Sequence, residues 1–309
     1  MPLDRHAQRL LRMIALSAVE GAGSLAERRR GLEDLQAMAE DEPDPATAGR
    51  DLRLDGADGP LAARLYSPDP KDDSAGVLIY FHGGGWVAGD LETHDGLCRR
   101  LAAASGAKVL ALDYRRAPEH PFPAAIEDGL AAARWAAAHA GDLGLDPARL
   151  GLAGDSAGGG IAAAVAGLLR DAGGPPIALQ LLICPILDLA HESASRLAFA
   201  DGYFLDRATM AADLADYLPA GVDPSDPRLS PLLAKRLEGL PPTLIHAAQF
   251  DPFHDEALAY GERLNQAGVP ARFTSHPGMI HYFYALPRAI PYAREAATMI
   301  GAQVREALA

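Results

Sequence analysis

Cysteine is nearly absent from this chain: the 309 residues hold only Cys98 and Cys184, far apart and without metal-ligand spacing. That excludes a disulfide framework, argues against a zinc site and fits a reducing compartment. Basic residues are also in deficit, 28 against 41 acidic, for a formal charge of -13. Such a field favours solubility and repels phosphate backbones and anionic bilayers, so neither nucleic acid nor a membrane is an expected partner. No stretch sustains the roughly 18 apolar residues that a spanning helix needs. The run Met13-Ile14-Ala15-Leu16-Ser17-Ala18 is too short for an export signal, and a cytoplasmic location is the expectation. Histidines in an HxH or HExxH arrangement are lacking, which argues against a metal-dependent hydrolase and leaves no metal site to expect.

What is present suits one large α/β core. Hydrophobic residues make up 49% of the chain and charged ones 22%, enough apolar surface to bury without a case for disorder. Leu10, Leu11, Ile14, Val19, Leu25, Leu32 and Leu35 recur with roughly helical spacing before the breaker Asp41-Glu42-Pro43-Asp44-Pro45, which makes residues 1–45 a helical appendage. Residues 50–54 and 61–66 alternate as half-buried strands around Gly56-Ala57-Asp58-Gly59. Six short β-rich runs follow, at 77–81, 109–112, 150–153, 179–184, 243–247 and 272–275, separated by helical stretches such as 124–140 and 157–171. Eight strands in this alternation predict a mostly parallel sheet covered by helices. Only 188–220, polar-rich and helical, breaks the pattern, and it has the look of an inserted lid. The expected organisation is therefore cap helices at 1–45, a catalytic domain in two parts at 46–187 and 221–309, and a cap insertion at 188–220 between them.

The chemistry centres on Gly154-Asp155-Ser156-Ala157-Gly158, which lies between a predicted strand and a predicted helix. A sharp strand-to-helix turn strains its central residue and brings two backbones so close that Cβ atoms at 154 and 158 would clash. It leaves the serine hydroxyl exposed at a helix N-terminus, where developing negative charge is favoured. Pentapeptides of this kind also arise by chance in loops, so the context matters. His82-Gly83-Gly84-Gly85-Trp86 follows the strand at 77–81 and lets backbone N–H groups approach a ligand atom. Gly83 and Gly84, with Ala157 beside the nucleophile, are the expected oxyanion donors. A serine needs a base, and His281, placed after the last strand, is the candidate; His276 and His246 read as buried structural residues. Asp251, kept out of the following helix by Pro252, is the candidate acid, with Asp255 its competitor as an early helix residue.

Together with Tyr114-Arg115-Arg116-Ala117-Pro118-Glu119-His120, Phe122-Pro123-Ala124-Ala125, Ser230-Pro231-Leu232 and Asp251-Pro252-Phe253, these motifs resemble the hormone-sensitive-lipase-like branch of the α/β-hydrolases, the bacterial family IV esterases. The resemblance spans about residues 76 to 284. It implies an α/β-hydrolase fold and a cofactor-free esterase acting on short- to medium-chain acyl esters through Ser156, His281 and Asp251. It also implies a cap built from the N-terminal helices and the insertion after the sixth strand, with a homodimer formed through the last strand and helix. Trp86 and Tyr282 are the expected substrate contacts. Tyr282 departs from the family, which usually has glycine after the catalytic histidine; His254 stands where an arginine is common. A receptor of the same fold would have lost the catalytic histidine, whereas a lactone or amide hydrolase would look the same.

Overall fold

The computed structural model describes residues 1–309 apart from 18–20, 42–46, 48, 70 and 73–74. Val19 and residues 42–45 of the acidic breaker therefore lie outside the described residues. Ahead of the sheet come α1 (Arg5–Ser17) and α2 (Leu25–Ala39). The second starts at a capping box, in which the Ser24 side chain accepts from the Glu27 N–H and the Glu27 carboxylate accepts from the Ser24 N–H.

Eight strands then form one sheet: β1 (Gly49–Gly56), β2 (Gly59–Tyr66), β3 (Ala75–Phe81), β4 (Lys108–Leu112), β5 (Leu145–Asp155), β6 (Leu179–Ile183), β7 (Thr243–Phe250) and β8 (Ala271–Ile280). They lie in the order β1-β2-β4-β3-β5-β6-β7-β8, antiparallel for β1–β2 and β2–β4 and parallel elsewhere. The central strands β3, β4 and β6 are buried along their whole length, which is why they read as unbroken apolar runs rather than alternations. Helices α3 (Asp95–Ser105) and α10 (Tyr292–Ala307) pack on one face, while α4 (Ala124–Ala138), the short α5 (Ala140–Leu143) and α6 (Ala157–Ala172) lie with the other apolar cluster. The segment between β6 and β7 carries α7 (Ala194–Ala198) and α8 (Arg207–Tyr217), and α9 (His254–Gln266) leads into β8.

Two differences from the sequence reading have local causes. The helix expected over 124–140 breaks at His139 and resumes as α5, ending at Gly144 rather than near Gly141, because Gly144 takes the left-handed conformation (φ 62°) and caps the last turn. The last strand runs on from Ser275 through Pro277 to Ile280. As the outer strand of the sheet, β8 tolerates a proline that cannot donate to a ladder.

Strand order reverses at β3, which has β4 on one side and β5 on the other. A crevice opens outside the carboxyl ends of strands at such a point. Here it is roofed by α1, α2 and α8, leaving a cavity of about 940 Å³ whose walls include Leu10, Leu35, Met210, Gly84, Ser156 and His281. Arg28 of α2 ion-pairs with Asp213 and Asp216 of α8, tying the two parts of the roof together.

Candidate active site

Ser156 sits between the end of β5 and the start of α6 with φ 53° and ψ -121°, a conformation that L-residues rarely adopt. The turn is held by its glycines: a Cβ at Gly154 would run into the carbonyl of Gly158, and one at Gly158 into the carbonyls of Phe81 and His82. The hydroxyl faces the cavity. Ser156 Oγ lies 3.0 Å from His281 Nε2, and His281 Nδ1 lies 2.8 Å from Asp251 Oδ2. An ionised carboxylate can only accept, so His281 donates through Nδ1 and keeps Nε2 free to accept from the serine. Asp251 is itself held by the N–H of Phe253, 2.8 Å from Oδ1. The three residues come from the ends of β5, β7 and β8, so a parallel sheet gathers at one edge groups that are 30 to 125 residues apart in sequence.

The competing residues are engaged elsewhere. Asp255 lies in the first turn of α9 and accepts from the Ser195 N–H at 2.9 Å. His246 and His276 are buried against each other at 3.1 Å, and burial lowers their pKa to about 3 and about 4. His254 reaches Ser275 Oγ at 3.1 Å rather than the serine site. Cys184, Asp251 and His281 bring possible ligand atoms within 4.8 Å of one another, but Asp251 and His281 already bond each other, so the set reads as an enclosed hydrogen-bonded cluster.

The glycine loop departs from expectation at one residue. The N–H of Gly83 points away from the cavity and donates to Asp155 Oδ1 at 3.0 Å, with His94 Nε2 at 3.3 Å. That N–H is therefore unavailable to a ligand, which corrects the oxyanion role expected of Gly83. Gly84 and Gly85 line the cavity instead, at φ 114° and 62°. No hydrogen bond takes up the N–H groups of Gly84, Gly85 or Ala157 among the described residues.

Asp155, the motif residue before the serine, went unnoticed in the sequence. It is 0% exposed and accepts from Tyr80 Oη at 2.7 Å, Gly83 N at 3.0 Å and Tyr284 Oη at 3.0 Å. The signal was an acid in the middle of an otherwise apolar strand-to-helix turn. Trp86 and Tyr282 both line the cavity. Trp86 stacks on Tyr217 of α8 at 4.5 Å, and Tyr282 stacks on Phe204 of the insertion at 5.7 Å, so each joins a strand end to the roof.

Comparison with known proteins agrees with this architecture. A family model described as the alpha/beta hydrolase fold matches residues 78–285. Esterase LipI of Mycobacterium tuberculosis is 44% identical over 250 residues, 80% of this chain and 78% of its own length. An ethyl acetate hydrolase of Pseudomonas putida is 38% identical over 303 residues, covering 96% of this chain and 92% of its own. The solved structure of ester-hydrolase EH1AB1 from the metagenome of Lake Arreo, in complex with a derivative of bipyridine phosphonate, superposes with a TM-score of 0.95 at 40% identity over 98% of both chains. With the matched region running from β3 past His281, the protein belongs to the α/β-hydrolase fold family, in its hormone-sensitive-lipase-like branch.

Proposed function

We propose that this protein is a serine carboxylesterase that cleaves short- to medium-chain acyl esters by two-step acyl transfer. The observation that carries the proposal is His281, hydrogen-bonded at once to Ser156 Oγ and to a buried carboxylate. Ser156 attacks the ester carbonyl while His281 takes its proton, and Asp251 holds the imidazole in the tautomer that can do so. The oxyanion is received by the free N–H groups of Gly84, Gly85 and Ala157. His281 then protonates the departing alkoxide, and water repeats the sequence on the acyl-enzyme.

In this reading α1, α2, α7 and α8 are the cap over the substrate, at 1–45 and 188–220, with catalytic domain on either side of the insertion. A cavity of about 940 Å³ with mostly apolar walls has room for an acyl chain of medium length. An ester, rather than an amide or lactone, is favoured by the names of the relatives. Retention of His281 speaks against a receptor role. The remaining parts of the reading are a cytoplasmic location and a homodimer through β8, an outer strand of the sheet.

The test is hydrolysis of chromogenic acyl esters from acetate to palmitate by wild type and Ser156→Ala. Wild type should show an optimum at short to medium chains, and the variant should lose about 10⁴-fold or more in kcat. Inert wild type across the series, or equal rates for the two proteins, would overturn the assignment.

A further inference from the structure

Phe204 occupies an unusual position in the insertion. Tyr203 and Leu205 on either side of it form an antiparallel bridge, so the chain reverses over a single residue, and Phe204 at the tip is held at φ 85°. A non-glycine residue is rarely placed there unless its surroundings enforce it. The base of the turn is anchored to the end of the strand that leads to Asp251. Tyr203 stacks on Phe250 at 5.7 Å with planes 3° apart, and Phe199 packs edge-on against both.

The tip points at the serine site. The Phe204 ring lies 6.4 Å from His281 and stacks on Tyr282 at 5.7 Å. Tyr282 is also left-handed, at φ 65°, and its ring is held edge-on by His94 at 6.0 Å and Tyr284 at 5.6 Å. Two aromatic residues in backbone conformations that favour glycine thus meet face to face beside His281, and both line the cavity.

The reaction determines which part of a substrate meets them. His281 must deliver its proton to the leaving oxygen, so that oxygen lies within hydrogen-bond reach of Nε2 and its carbon substituent passes the imidazole. The acyl chain leaves the carbonyl carbon in another direction. We infer that Phe204 and Tyr282 form an aromatic wall that limits the bulk of the alcohol part of the ester, a specificity role that rests on the acyl-transfer reading above.

The experiment compares kcat/KM for ethyl, isopropyl and cyclohexyl acetate, followed by acid release, in wild type, Phe204→Ala and Phe204→Leu. A second series varies acyl length on one alcohol. Removing the ring should raise the cyclohexyl-to-ethyl ratio about tenfold or more, as loss of several methylenes' worth of steric exclusion does in an apolar pocket, while the order of preference along the acyl series stays the same. Phe204→Leu, which keeps a branched side chain at the tip, should give a smaller rise in the same direction and serves if the alanine variant does not fold. An alcohol ratio within twofold of wild type, or a shift in acyl preference larger than that in alcohol preference, overturns the wall. Wild type inert on every ester overturns the hydrolase reading itself, a different result from an active enzyme whose alcohol ranking does not move.

Discussion

Replacing Asp155 by asparagine tests whether this carboxylate is what fixes the glycine loop. The side chain keeps its shape, but one accepting oxygen becomes an NH₂ group, and both oxygens of Asp155 now face donors. Turned toward Gly83, the NH₂ would leave that backbone N–H only the more distant His94 Nε2 at 3.3 Å as acceptor; turned toward Tyr284, it meets a hydroxyl that can rotate and accept. The amide therefore settles in the second orientation. Three charge-assisted hydrogen bonds become neutral ones, a loss of about 1 kcal/mol each, partly offset because the charge no longer has to be buried. The net expectation is a destabilisation of about 2 kcal/mol in urea unfolding, with kcat for a good ester falling about tenfold or more and KM changing little, because the loop carrying Gly84 and Gly85 loses its anchor. Asp155→Ala takes the acceptor from the buried hydroxyls of Tyr80 and Tyr284, at about 1–3 kcal/mol each, and leaves Gly83 N–H only His94 Nε2, so it should be markedly less stable than the asparagine variant. The pH dependence adds a check. Burial alone would raise the pKa of Asp155, but His94 beside it and the hydroxyls of Tyr80 and Tyr284 outweigh burial and hold it below the ordinary value. A lowered acid contributes stability that is complete above the unfolded pKa near about 4 and is lost as pH falls through the folded value. The gap between wild type and Asp155→Asn should thus be full at pH 7 and shrink below about pH 4. An asparagine variant as stable and as active as wild type would refute the reasoning.

Three more outcomes are expected from the packing. His82, His246 and His276 are buried with pKa values lowered to about 3, about 3 and about 4 by burial. The unfolded chain takes up protons first below about pH 6.5, so each histidine weakens the fold by on the order of 1.4 kcal/mol per pH unit until the folded state also protonates; urea melts at pH 7 and pH 5 measure this, and equal midpoints would contradict it. Gly158→Ala puts a methyl group into the backbone carbonyls of Phe81, the last residue of β3, and His82, which accepts from Tyr114 Oη, and should cost about 3 kcal/mol. A melting temperature within about 2 °C of wild type would exclude that clash. Trp86→Ala removes a buried ring stacked on Tyr217 and should cost about 3–5 kcal/mol and raise KM, while Trp86→Phe recovers most of the loss; equal stability of the two variants would show that the stack contributes little.

The serine turn, the glycine loop and the parallel sheet are legible in the sequence because each is a local device. Gly154 and Gly158 are required by a turn spanning five residues, and the buried strands announce themselves as short apolar runs between helices. His281 and Asp251 could be named because a parallel sheet brings the residues just past the end of each strand to one edge, so position along the chain stands in for position in space. The same logic failed for Gly83. Three consecutive glycines look equivalent in a sequence, and only the bond to Asp155, 72 residues away, shows which N–H faces inward and which two remain for a ligand.

Composition and local pattern by themselves determined the fold class, the placement of the candidate residues after their strands and the serine turn, since these depend on sterics and periodicity within a few residues. The tertiary structure alone decided the direction of each loop N–H, the burial of Asp155 among two tyrosines, and the meeting of Phe204 with Tyr282, which stand far apart in the chain. Those features are contacts between distant segments. Their energy comes from desolvated side chains and oriented donors that exist as neighbours only once the sheet and its roof have closed around them.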